Sequence, residues 1–102
     1  MEKEIENIKT KILEAISPRA IILFGSRAKG VNAPDSDYDI CVLVNSDLSK
    51  RIVAQNLYKL FIDFNYPIDF IVEHFDKYIE NINNNSLIYK EISQGLFLYE
   101  QG

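Results

Sequence analysis

The sequence predicts an α/β (α+β) fold, a mixed sheet flanked by helices. Three observations predict it. The run AIILF is short, continuous and apolar, as a buried strand is, and YDICVLV and IDFIV read as two more strands. Stretches with apolar residues at helical spacing lie between and around them. With 47% hydrophobic and 25% charged residues, a chain of 102 residues can bury a real core. That length points to a single domain over residues 1–102.

The elements follow in order. Ile5, Ile8, Ile12, Leu13 and Ile16 recur at helical spacing, and Ser17-Pro18 ends that helix. Ala20 to Phe24 suits a buried strand, and Gly25-Ser26 opens a turn or a short helix. Val31 to Ser36 carries Asn, Pro, Asp and Ser, so it is a loop. Tyr38 to Val44 is a second strand, and Asn45-Ser46-Asp47 is a helix-start signal. Leu48 to Asn65 has helical periodicity through Ile52, Val53, Leu57, Leu60 and Phe61. Pro67 interrupts it, and Ile68 to Val72 is a third strand. A short helix over about Phe75 to Ile82, the polar tract Asn83-Asn84-Asn85 and a helix over Leu87 to Ser93 come next. Gly95 precedes a last strand, Leu96 to Tyr99. The Asn tract is too short for an interdomain linker.

Charge and cysteine content narrow the function classes. The formal net charge is -4, which disfavours direct nucleic-acid binding over an extended surface. Cys41 is the one cysteine, so the chain holds no internal disulfide and no Cys/His zinc pattern, which suits a reducing cytoplasm. The first 16 residues are charged and periodic, without the apolar core of a signal peptide. No apolar stretch approaches the roughly 18 residues that span a bilayer, so no membrane association is expected.

The chemistry concentrates between Leu23 and Val44, LFGSRAKGVNAPDSDYDICVLV. In a strand, alternate residues share a face, so Asp37 and Asp39 point the same way, roughly 7 Å apart at their Cα atoms. Two carboxylates about 5 Å apart repel by about 3 kcal/mol at an effective dielectric of about 20. Beside an apolar strand such a pair calls for a cation, and all-oxygen ligation favours Mg²⁺ or Mn²⁺. Alternatively, both are solvated loop residues ahead of the strand.

Gly25-Ser26 directly follows a strand, where small residues let backbone N–H groups and a hydroxyl approach phosphate. Arg27 and Lys29 add positive charge. The plain alternative is a glycine turn with two solvated cations. Asp69, between Ile68 and Phe70, needs a partner. It either meets the same metal or pairs with a lysine or a backbone N–H. Glu73 shares its face and is the substitute should Asp69 prove remote.

Gly25-Ser26, ten residues, then Asp37-x-Asp39 resembles the GSx10DxD signature of the DNA polymerase β-like nucleotidyltransferase superfamily. Four specified residues at this spacing arise by chance in about one such chain in a thousand. The fuller string, GSRAKG followed by SDYDICVLV, resembles the minimal nucleotidyltransferase (MNT) branch. Those are small proteins encoded beside HEPN-domain partners in prokaryotic toxin–antitoxin pairs. The motif covers residues 20 to 44, and Asp69 extends it.

The resemblance implies a polymerase β-like nucleotidyltransferase fold and a set of roles. Asp37 and Asp39 hold two Mg²⁺ (or Mn²⁺) ions. Asp69 ligates the catalytic one and helps activate an acceptor hydroxyl. Gly25 and Ser26 hold the β- and γ-phosphates of ATP, and Arg27 supports the triphosphate more than Lys29 does. The implied reaction is in-line attack on the α-phosphate with release of pyrophosphate. Larger relatives carry extra domains for tRNA, DNA or a drug, and this chain has almost no room for one. The resemblance therefore implies AMP transfer to a tyrosine of a HEPN toxin. Two other functions compete: a module that inhibits a partner by occlusion, and a stand-alone transferase acting on a small molecule.

The remaining polar and aromatic residues carry blander expectations. His74 is at the surface or caps a helix, Cys41 is a small buried residue, and Tyr38 packs on the strand face opposite the aspartates.

Overall fold

The computed structural model describes residues 2–102. Its order is α1 (Lys3–Ala15), β1 (Ala20–Phe24), α2 (Gly25–Lys29), β2 (Tyr38–Val44), α3 (Lys50–Leu60), β3 (Ile68–His74), α4 (Phe75–Asn83), α5 (Leu87–Ser93) and β4 (Leu96–Glu100). The four strands form one mixed sheet in the order β3-β2-β1-β4. β1 is antiparallel to both β2 and β4, while β2 and β3 are parallel.

Alternation along the central strands creates two apolar faces. Ile21, Leu23, Tyr38, Ile40, Val42 and Val44 face α1 and α3, meeting Ile8, Ile12, Val53 and Leu57. Ala20, Ile22, Phe24, Cys41 and Leu43 face α4 and α5, meeting Tyr78 and Ile92. Both faces are covered, so β1 is buried along its whole length and reads as a continuous apolar run. Ile8 and Ile12 are fully buried, each contributing about 1.5–3 kcal/mol over an exposed side chain. α1 ends where Pro18 follows, its last turn closed by the Ile16 N–H on the Ile12 carbonyl at 3.0 Å.

The structure corrects the bounds of α3 and β3. The helix expected from Leu48 to Asn65 is shorter, Lys50–Leu60. Asn45–Asp47 form a turn, with the Leu48 N–H on the Asn45 carbonyl, and Ser49 is the true cap, its hydroxyl accepting from the Ile52 N–H at 3.3 Å. Phe61 and Phe64 continue the apolar spacing beyond the helix because they pack edge to face in a turn (5.4 Å). β3 runs on to His74, whose backbone starts α4 and whose ring Nε2 lies 2.7 Å from the Leu48 carbonyl.

Glu73 is the buried charge of the core face. Its carboxylate accepts hydrogen bonds from Lys50 Nζ (2.9 Å), the Tyr89 hydroxyl (2.6 Å) and the His74 N–H (2.9 Å). Burial pushes its pKa up, but these three donors outweigh burial and hold the carboxyl below its ordinary value. This one side chain therefore ties β3 to α3 and α5. Among the described residues no helix is long and apolar enough to cross a membrane.

Candidate active site

Strand directions bring the motif together. β1 runs antiparallel to β2, so its C-terminal end lies beside the start of β2, with Phe24 opposite Asp39. β3 runs parallel to β2, so its start lies at the same rim, with Asp69 directly opposite Asp39. Gly25, Asp39 and Asp69 thus come from three neighbouring strand ends at one edge of the sheet. Asp37 is exposed just ahead of β2. The Tyr38 N–H donates to the Pro67 carbonyl at 3.0 Å, which keeps the entrance to β2 level with β3.

Gly25 is required here for two reasons. Its φ is +76°, a left-handed backbone that L side chains rarely adopt. A Cβ at this position would also fall inside the Asp39 carboxylate, against Oδ2. The backbone that turns from β1 into α2 therefore packs directly on a motif carboxylate. Ser26 follows, half-buried, and α2 has no side-chain cap on its first N–H groups. Gly25→Ala should combine backbone strain with that clash, at about 2–3 kcal/mol. Thermal melts check it. Part of the loss should return in an Asp39→Ala background, where the carboxylate is gone.

Electrostatics single out Asp39. Partial burial raises its pKa first, and the negative charges of Asp69, Asp37 and Glu91 raise it further. Glu91 belongs to α5 and pairs weakly with the exposed Lys29 at 3.7 Å. The oxygen-only donor set, and this mutual repulsion, fit a hard divalent cation. Among the described residues no three His, Cys, Asp or Glu side chains are already gathered as a metal-ligating group.

Arg27, on α2, reaches the loop that leads to Asp37. Its Nε donates to the Ser36 carbonyl (2.9 Å) and its terminal N–H to the Pro34 carbonyl (3.1 Å). Its guanidinium stacks 3.9 Å over the Tyr38 ring and 5.5 Å from Tyr66. Tyr38 lies on the opposite face from Asp39, and its hydroxyl donates to Glu2 at 2.6 Å. Cys41 is fully buried below Asp39, and burial pushes its thiol pKa up to about 12, which leaves it inert. With Asp69 in register, Glu73 is not its substitute; its oxygens are taken up in the core.

Two contributors have no signal in the sequence. Glu91 reaches the field of Asp39 from α5, and Tyr58 on α3 reaches Asp69 with its hydroxyl at 3.5 Å. Neither belongs to a motif, and both meet the site only through tertiary packing.

A family model for the nucleotidyltransferase domain matches residues 5–94. The chain belongs to the nucleotidyltransferase domain family, and the mixed sheet with flanking helices is consistent with that fold. A crystal structure of a toxin–antitoxin with AMP-PNP is similar over 98% of this chain and 75% of its own, with 26% identity and a TM-score of 0.62. That similarity is consistent with the minimal nucleotidyltransferase branch. No curated protein matches the chain significantly.

Proposed function

We propose that this nucleotidyltransferase transfers AMP from ATP to a tyrosine of a HEPN toxin and so acts as the antitoxin of a toxin–antitoxin pair. The observation that carries the reading is the rim of three strand ends. There, close-packed Gly25 backbone lies against Asp39, with Asp69 directly opposite. Phosphate-facing backbone beside paired carboxylates is what a metal-bound triphosphate requires. The toxin–antitoxin bound to AMP-PNP supports both the nucleotide and the partner.

In this reading Asp37, Asp39 and Asp69 would hold two Mg²⁺ (or Mn²⁺) ions. Bound there, the ions would neutralise the triphosphate and stabilise charge on the attacking and leaving oxygens. Gly25 and Ser26 present backbone N–H groups and a hydroxyl to the β- and γ-phosphates. Arg27 supports them indirectly by holding the loop before Asp37. Asp69 takes the acceptor proton as the tyrosyl oxygen bonds to the α-phosphorus and the bond to pyrophosphate breaks.

The test is transfer of label from α-phosphate-labelled ATP with Mg²⁺ in lysate from the native host, beside the Asp37→Asn/Asp39→Asn protein. A single labelled HEPN protein, absent with the variant, is expected. Label in small molecules or RNA would keep the chemistry and overturn the antitoxin reading. Partner inhibition that survives both substitutions without label would favour occlusion.

A further inference from the structure

β3 is an edge strand, paired with β2 on one side only. Edge strands present N–H groups that lack a ladder partner. The Phe70 N–H finds one in the Tyr58 hydroxyl at 3.0 Å, and the same hydroxyl donates to Asp69 Oδ1 at 3.5 Å. A hydroxyl can accept and donate at once, so Tyr58 bridges the backbone of β3 to the Asp69 carboxylate.

Asp69 otherwise has little to hold it. It is exposed, and Asp39, directly across the ladder, carries like charge. An exposed aspartate repelled from within would spread over its rotamers. The Tyr58 ring is itself fixed edge to face on Phe70, with centroids 5.2 Å apart.

We propose that Tyr58 is a positioning residue for the third carboxylate, clamping Asp69 from the outer edge of the sheet in the orientation that serves metal binding and proton acceptance. The proposal rests on the nucleotidyltransfer reading above. Outer hydrogen bonds to a metal-binding carboxylate commonly set affinity by about 10–100-fold.

Tyr58→Phe isolates the hydroxyl, because phenylalanine keeps the contact with Phe70. Five quantities are measured: Mn²⁺ affinity by electron paramagnetic resonance, kcat, KM for ATP, exchange of the Phe70 amide proton, and thermal stability. The variant should bind Mn²⁺ about tenfold more weakly. Its kcat should fall with KM for ATP unchanged, and the Phe70 amide should exchange faster. In an Asp69→Asn background, which keeps Asp37 and Asp39, the hydroxyl should no longer affect Mn²⁺ affinity, whereas a merely structural role would add its effect in full. Unchanged Mn²⁺ affinity and kcat in Tyr58→Phe, with the wild type active, would overturn the proposal alone. A wild type that neither binds Mn²⁺ nor transfers nucleotide would overturn the functional reading, and the proposal with it.

Discussion

Asp39→Asn should abolish nucleotide transfer while making the metal-free protein more stable. Asp39 carries the strongest conflict at the site. Burial and three like charges (Asp69, Asp37 and Glu91) raise its pKa, so its charged form is disfavoured in the folded state. A group whose folded pKa is raised above its unfolded value opposes folding at neutral pH, and the opposition fades as pH falls. Asparagine keeps the shape and removes the charge, so the metal-free melting temperature should rise by a few degrees. In the reading proposed above the same change would also remove a metal ligand, and transfer should then fall by about 10³-fold or more. Melts with and without Mg²⁺ and ATP check both halves. The wild type should gain stability from the ligands by mass action, and the variant should gain little. A variant that is both less stable without metal and still stabilised by Mg²⁺ and ATP would show that Asp39 is not a ligand.

Glu73→Ala should have a large effect on stability although it lies outside the site. Removing it leaves the half-buried Tyr89 hydroxyl and the His74 N–H without their partner and frees Lys50. Breaking such a buried network costs about 3 kcal/mol, although half-exposed Lys50 can return to water. For a domain of this size the melting temperature should fall by about 10 °C or more. Glu73→Gln keeps the shape and should cost less. The pH dependence has a definite sign. The folded pKa is lowered, so Glu73 stabilises above the ordinary carboxylate range and its contribution is lost as pH falls through the folded pKa. The gap between wild type and Glu73→Gln should therefore narrow on acidification. A gap that widened would assign the stabilisation to another group.

Most of the architecture was legible because both sheet faces are covered. Full coverage makes β1 an unbroken apolar run and leaves β2 apolar from Ile40 to Val44, beyond Asp39. The two glycine-linked pieces of the site were legible for a related reason. Gly25 has a left-handed φ and packs on Asp39, a place that favours glycine, and glycine directly after an apolar strand is visible in the sequence. The end of α3 was not legible, since Phe61 and Phe64 satisfy helical spacing while serving an aromatic turn. The setting of Glu73 was hidden because its donors lie 16 and 23 positions away along the chain. Arg27 reads as a phosphate ligand by proximity to Gly-Ser. Its stacking on Tyr38 and its bonds to Ser36 and Pro34 depend on how the loop folds back.

The mixed strand directions also bear on the order in which the site is built during synthesis. Gly25 and Asp39 meet through a short-range antiparallel pairing between β1 and β2. Asp69 reaches the same rim only after the chain has crossed through α3 to lay β3 in parallel. Non-local parallel pairing is intrinsically slower than local pairing. The Gly25–Asp39 contact can therefore take shape early on a nascent chain. Asp69 must wait for the crossover, so the rim that brings it opposite Asp39 is complete only with the finished sheet.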